Sequence, residues 1–344
     1  MRGSLIKRGE HSWTIVLSLG RDPATGKRRQ QWVSVKGTKR EAEKRLTELL
    51  TQVDTGGFVK PAKLTVADFL RQWLRDYAAT NVRPRTLEGY RTILEGQVIP
   101  ALGSILLTEL RPAHLQEYYA RLLASGRRDR RPGGLSARTV LSHHRVLSEA
   151  LGHAVKWGLM GRNVAEAVDP PRAAKKTMTA LDAPDVRRLL DAARGTMWYP
   201  VLHLAVNTGL RRSELLGLRW RDVDLDMATL SVVQVMHRLR GQGIVFLEPK
   251  TAKGRRQVAL SPSVALALRA YRERQEADMD LLGKPITKEA LVFCQPDGRP
   301  LLPDSLSHAF DSVAKRAGLS NVRLHDLRHT HASLMLKAGV HVKV

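Results

Sequence analysis

Thr208-Gly209-Leu210-Arg211-Arg212-Ser213-Glu214-Leu215-Leu216-Gly217-Leu218-Arg219-Trp220 decides how the C-terminal half of this chain is read. The apolar stretch before it, Tyr199 to Thr208, reads as a helix, and Gly209 ends that helix and delivers Arg211 at the start of the next turn. Leu215 and Leu218 can share one helical face. A guanidinium fork then stands at a helix N-terminus, where unpaired backbone N–H groups and the helix dipole already favour an anion. Glu214 either holds that fork in place or completes the first turn. The run reads equally well as a solvated Arg-Arg-x-Glu surface turn, because short motifs recur by chance.

A second stretch shifts that balance. In Leu324-His325-Asp326-Leu327-Arg328-His329-Thr330-His331-Ala332-Ser333-Leu334-Met335-Leu336, His325 and Arg328 have i, i+3 spacing and project from one side of a helix. Leu327, Leu334 and Met335 are expected on its other side. An imidazole and a permanent cation are thereby offered to a single target. The distance in sequence between Arg211 and this pair suits two helices meeting across one domain.

Together, Thr-Gly-Leu-Arg-Arg-Ser-Glu-Leu and His-Asp-Leu-Arg-His-Thr resemble the two arginine boxes of the tyrosine recombinase, or phage integrase, family. The resemblance covers the chain in outline and is most specific from about Leu181 onward. It implies a mainly α protein with small β-sheets (α+β). The expected parts are an N-terminal arm-DNA-binding-like domain (1–58), a helical, SAM-like core-binding domain (64–160), a linker (161–178) and a catalytic domain (179–344). The first is a three-stranded sheet plus helix; the last is α-rich with a small antiparallel sheet and is expected to be incomplete at its C-terminus.

Composition points the same way. Lys and Arg number 57 against 33 Asp and Glu, a formal charge of +24 with a pI near 10.8. Such a surplus calls for a polyanion, and the many apolar-periodic segments argue against a disordered basic tail. Aromatic residues are only 5%, which favours clamping of a duplex backbone over a single-strand stacking platform. Cys294 is the single cysteine, which excludes a disulfide framework or thiolate metal site and fits a reducing cytoplasm. Neither a signal peptide nor a membrane span is read from the sequence.

Along the chain, Trp13–Leu17 and Gln31–Val35 read as strands joined through Asp22–Lys27, and a helix follows from Thr38 to about Val53 with Leu46, Leu49, Leu50 and Val53 buried. Modules like this one bind arm sites in integrases that the chain resembles, which makes Lys27, Arg28 and Arg29 candidate contacts. Gly56–Pro61 reads as a linker. From Leu64 to Met160 the pattern is helical, with Thr65 and Asp68 opening the first helix and others at about Thr86–Val98, Pro112–Ala124 and Ser136–Trp157. Arg83, Arg85, Arg91, Arg138, His143 and Arg145 are candidates for phosphate contacts, each equally readable as surface charge. The Asp169–Lys176 run, with its two prolines, reads as a stiff boundary, and Lys175 and Lys176 can lie along phosphates there, letting the protein close on DNA as a clamp.

In the last domain, Asp182 is read as a helix cap, and Leu230–Val235, Ile244–Leu247 and Gln257–Leu260 as three strands of one sheet. Glu248 to Arg256 is read as a polar hairpin between the second and third. The resemblance places the catalytic lysine on that hairpin, as Lys250 or, alternatively, Lys253. Helices are expected at Ser261–Met279, Asp304–Ala317 and Leu324–Ala338.

The chemistry suits a phosphodiester. Two arginine forks neutralise charge on its nonbridging oxygens without a metal or other cofactor, a role that falls to Arg211 and Arg328 with Glu214 in support. The resemblance assigns proton transfer to the lysine with His325. It also implies a tyrosine that attacks the phosphate to form a 3′-phosphotyrosyl link, yet no tyrosine follows Tyr271. A C-terminally truncated site-specific recombinase is therefore expected, one that binds double-stranded DNA without cleaving it; the full-length protein would form a tetramer on DNA. The rivals are a non-catalytic DNA-binding protein occupying recombination sites and a metal-dependent nuclease. His325, His329 and His331 lack the Cys, Glu or Asp companions a metal site needs.

Overall fold

The computed structural model describes residues 3–21, 26–54, 63–129, 131–174, 178–251 and 254–340. The chain divides into two compact units, Met1–Lys175 and Lys176–Val344.

The first unit holds two separate cores. Strands β1 (Gly3–Gly9), β2 (Ser12–Arg21) and β3 (Arg28–Lys36) form an antiparallel meander in chain order. Strand alternation puts Ile15 and Leu17 on the face covered by helix α1 (Lys39–Asp54), where Leu49 completes the core and Leu46 and Leu50 pack around it. The side chain of Val53 and the Gly56–Pro61 linker lie outside the described residues.

The second core is helical. Helix α2 (Val66–Trp73) starts at a reciprocal cap, the Asp68 N–H donating to Thr65 Oγ1 at 3.1 Å and the Thr65 N–H to the Asp68 carboxylate at 3.4 Å. A π turn, Leu74–Ala78, carries it into the short α3 (Ala79–Asn81). Helix α4 (Pro84–Ile93) likewise passes through a π turn, Leu94–Val98, into α5 (Ile99–Leu102). Helices α6 (Pro112–Ser125) and α7 (Ala137–Lys156) complete the bundle around Phe69, Trp73, Leu94, Tyr118 and Leu147. Each such side chain contributes about 1.5–3 kcal/mol by leaving water. Val164, Ala165 and Val168 also join this core. That corrects a linker beginning at 161: Asn163 caps the 3₁₀ turn Val164–Ala167 and donates to the Ser148 carbonyl at 3.0 Å, pinning the segment to α7.

In the second unit, α8 (Ala183–Ala193) begins at Asp182, whose carboxylate accepts from the Asp185 N–H at 2.8 Å. Helices α9 (Tyr199–Thr208) and the single turn α10 (Arg212–Leu215) follow. Five strands come next: β4 (Val223–Asp224), β5 (Thr229–Val232), β6 (Val235–Leu239), β7 (Gly243–Leu247) and β8 (Arg256–Ala259). Helices α11 (Pro262–Leu281), α12 (Pro303–Arg316) and α13 (Asp326–Lys337) close the unit.

The strands form two sheets instead of the single one expected: β4-β5-β8 and a separate β6-β7 hairpin. The reading of Leu230–Val235 as one strand fails at Val233-Gln234, where Gln234 donates to the Gly217 carbonyl at 2.8 Å. Consequently Glu248 to Arg255 is no hairpin tip; it links two sheets, and Arg256 starts a strand. Helix α9 packs against α13, α11 and α8. Leu327 is buried and Leu334 packs on the same core, but Met335, expected beside them, is 39% exposed.

Candidate functional site

The backbone turn between α9 and α10 builds the site. Gly209 has φ +60°, the left-handed conformation in which a side chain is strained, and a Cβ there would lie 2.8 Å from His331 Cδ2. The turn places Arg211 as the residue that starts α10. The expected anion site made of free N–H groups at a helix start is not what forms. Helix α10 is one turn long, and the Arg211 N–H is taken by Glu214 at 2.9 Å. The guanidinium, half exposed, is what Arg211 presents.

Glu214 is the acceptor that organises the cluster, 3% exposed. It takes the Arg211 N–H and, at 2.8 Å, Arg211 Nη1, together with Arg256 Nη1 at 3.2 Å and Nη2 at 2.9 Å. Burial pushes its carboxyl up, but the Arg256 hydrogen bonds and those of Arg211 outweigh burial and hold it below the ordinary glutamate range. Glu214 is therefore ionised at neutral pH.

Helix α13 brings the third guanidinium. Arg328 Nη1 donates to the Gly209 carbonyl at 2.6 Å, so Arg328 is tied to the turn that carries Arg211. Burial lowers the proton affinity of Arg328, and the Arg211 cation lowers it further, against the pull of Glu214. The two arginines are thus electrostatic neighbours. One turn on, His331 Nδ1–H donates to the Val206 carbonyl at 3.1 Å, bracing α13 on α9. The start of α13 is fixed by buried Asp326, whose carboxylate accepts from the Arg323 N–H at 2.9 Å and from Arg323 Nη2 at 2.8 Å. His325 is exposed and meets His329 edge to face at 5.5 Å. Partial burial and the neighbouring His329 lower its basicity.

The remaining candidates divide by exposure. Lys250 is exposed on the connection after β7, whereas Lys253 lies outside the described residues. Lys27, Arg28, Arg83, Arg85, Arg91, Arg138 and Arg145 are all exposed. Arg138 donates to the Ala174 carbonyl at 3.1 Å, and Arg85 pairs with Glu88 on its own helix. Lys175, Lys176 and the side chain of Arg29 are outside the described residues. His143 is a correction. It is 2% exposed and bonded at 2.8 Å to the Tyr118 hydroxyl, and burial pushes its pKa down to about 4, so it is a neutral core residue, no phosphate ligand. Tyr271 packs against Phe293, and burial raises its phenol above the usual range. Among the described residues, no three His, Cys, Asp or Glu side chains gather as a metal site would require.

Sequence reasoning missed Arg256. Its residue type is visible, but its partner depends on which strand β8 joins, and the sequence reads it as the end of a polar hairpin. The brace at His331 was equally hidden, since its partner is a carbonyl on another helix.

Residues 179–344 match the family model described as phage integrase family, and residues 65–123 match that described as phage integrase, N-terminal SAM-like domain. A tyrosine recombinase XerC-like protein of Caldanaerobacter subterraneus subsp. tengcongensis is 24% identical over 98% of this chain and 88% of its own. An integrase of Streptomyces ambofaciens is 29% identical over 95% of this chain and 83% of its own. In fold, the chain is similar to the Tn1549 transposon integrase in complex with a circular intermediate DNA. The TM-score there is 0.68 at 21% identity, covering 81% of this chain and 89% of that one. It is also similar to a lambda integrase dimer bound to a COC′ core site, with TM-score 0.59 and 18% identity over 97% of this chain and 87% of that one.

Proposed function

The chain belongs to the phage integrase family of tyrosine recombinases, and we propose that Arg211 and Arg328 grip one scissile phosphate of its DNA substrate. Its function is site-specific DNA recombination, the cutting and rejoining of duplex strands. The observation that carries the residue assignment is the 2.6 Å bond from Arg328 to the Gly209 carbonyl, which fastens the second guanidinium to the turn that presents the first.

In this reading the two forks neutralise the nonbridging oxygens while a tyrosine hydroxyl attacks phosphorus. The new P–O(Tyr) bond forms as the bond to the 5′ oxygen breaks. Lys250 or Lys253 supplies the proton that the leaving oxygen needs, and His325 assists by taking up the proton that the tyrosine hydroxyl loses. Its lowered basicity leaves it neutral near pH 7 and therefore able to accept that proton. Lys27, Arg28, Arg83, Arg85, Arg138, Arg145, Lys175 and Lys176 serve the duplex backbone in this reading. Assembly as a tetramer on DNA is part of the same proposal, by analogy with a lambda integrase tetramer bound to a Holliday junction. So is a cytoplasmic setting; among the described residues, no helix is long and apolar enough to cross a membrane.

Tyr271 is sheltered in the core and no tyrosine follows it, so these 344 residues by themselves are proposed to bind DNA without forming the covalent link. A suicide DNA substrate tests both points. The chain alone should give no covalent adduct. A chimera carrying the tyrosine-bearing C-terminal segment of another tyrosine recombinase should give one, and Arg211→Ala should slow its formation by about 100–1000-fold while leaving binding within about threefold. Normal adduct formation by the Arg211→Ala chimera refutes the assignment.

A further inference from the structure

Glu214 poses an electrostatic problem for the site as proposed. A buried carboxylate bonded to both the N–H and the guanidinium of Arg211 cancels that cation, and a cancelled cation is a poor anchor for a phosphate. Nothing else in the pair restores the charge. Arg256 does: both of its Nη atoms reach the same carboxylate, at 3.2 and 2.9 Å, from the first residue of β8. Among the described residues, its one further partner is the nearby Gly254 carbonyl at 3.4 Å. With a side chain 27% exposed against 50% for Arg211, Arg256 is the more enclosed of the two cations on Glu214.

We propose that Arg256 is a positioning residue of the phosphate site, a counter-charge that absorbs Glu214 so that the Arg211 guanidinium keeps a net positive charge for the substrate. This rests on the assignment of Arg211 to the phosphate. Glu214 thereby orients Arg211 through two hydrogen bonds without neutralising it, because Arg256 neutralises Glu214. The arrangement also sets a geometric condition. Strand β8 must be in register with β5, Val232 opposite Arg256, for the fork to arrive at α10.

The proposal separates charge from scaffolding, and inorganic phosphate is the probe that reads the difference. Binding of phosphate to the 344-residue protein is followed by phosphorus NMR at low ionic strength, with thermal melts to confirm folding. Arg256→Met is expected to weaken phosphate binding by about tenfold, since Arg211 is then left in a one-to-one pair with Glu214. Arg256→Lys keeps the charge and is expected within about threefold of the parent. The decisive variant is Arg256→Met combined with Glu214→Gln, which removes both charges together and should recover affinity to within about threefold of the parent. A purely structural strut predicts the reverse, with the double variant no better than the single one. That result, or an Arg256→Met protein that binds phosphate normally, overturns the proposal. Arg211→Ala is the control for the underlying assignment: unchanged phosphate affinity there removes Arg211 from the site, whereas a loss there with Arg256→Met unaffected removes only the counter-charge.

Discussion

Two groups of buried or half-buried polar side chains in this protein are built on opposite plans. In the second unit, Arg211 and Arg256 share the Glu214 carboxylate while Arg328 is tied to the Gly209 carbonyl of the same turn, and three permanent cations near one anion leave a surplus facing partly exposed space. In the helical bundle of the first unit, the contrasting pairs set a phenol on an imidazole whose basicity burial lowers: the Tyr118 hydroxyl on His143 and the Tyr119 hydroxyl on His144. A surplus of charge is costly to hold together and is useful only if an anion arrives. A neutral pair costs little and fixes helix packing. The formal charge of +24 is thus a poor guide to where chemistry occurs; the discriminating feature is whether more than one cation gathers on a buried carboxylate, as on Glu214.

The contrast makes separable predictions. The largest stability effect belongs to the charged cluster. Glu214→Ala strands the Arg211 N–H and two guanidinium groups together, and is expected to cost about 2–3 kcal/mol in urea unfolding, discounted because both arginines are partly in solvent. A loss below about 0.5 kcal/mol would mean that the cluster is held by its backbone alone.

The next effect belongs to the neutral group and appears in pH. Burial lowers the pKa of folded His143 to about 4 from an ordinary value of 6.5, so the unfolded chain binds the extra proton between those values. Stability from this residue is complete above about pH 6.5 and falls as pH drops toward 4, with a slope of up to about 1.4 kcal/mol per pH unit. His143→Leu should flatten that part of the pH profile of unfolding. Equal slopes in parent and variant would place the acid sensitivity elsewhere.

How far these plans were legible from sequence follows from their range. The turn at Gly209 and the caps at Thr65, Ser136 and Asp182 are local, and their residue types announce them. His143 was legible and overlooked: it lies three residues after Val140 and four before Leu147, on the very stripe that α7 buries. The split of the strands into two sheets was not legible, because alternation marks a strand without naming its partner. Arg256 was lost with it, since its role depends on pairing between β5 and β8.

The smallest effects are expected at exposed cations on the bundle. Arg145→Ala should change stability by less than about 0.5 kcal/mol and, if the side chain meets a phosphate, reduce the salt slope of duplex binding by about one. An unaltered slope would return Arg145 to ordinary surface charge and sharpen the distinction between cations gathered on a buried carboxylate and cations that merely coat a helix.

The shared phosphate itself is tested most directly by arginine side-chain NMR during a titration with inorganic phosphate. The Nε–H signals of Arg211 and Arg328 should move together along one saturating curve, and Arg328→Ala should weaken the response of Arg211 by at least about tenfold. Two independent curves, or a response from only one of the two arginines, would contradict the claim that both hold the same anion.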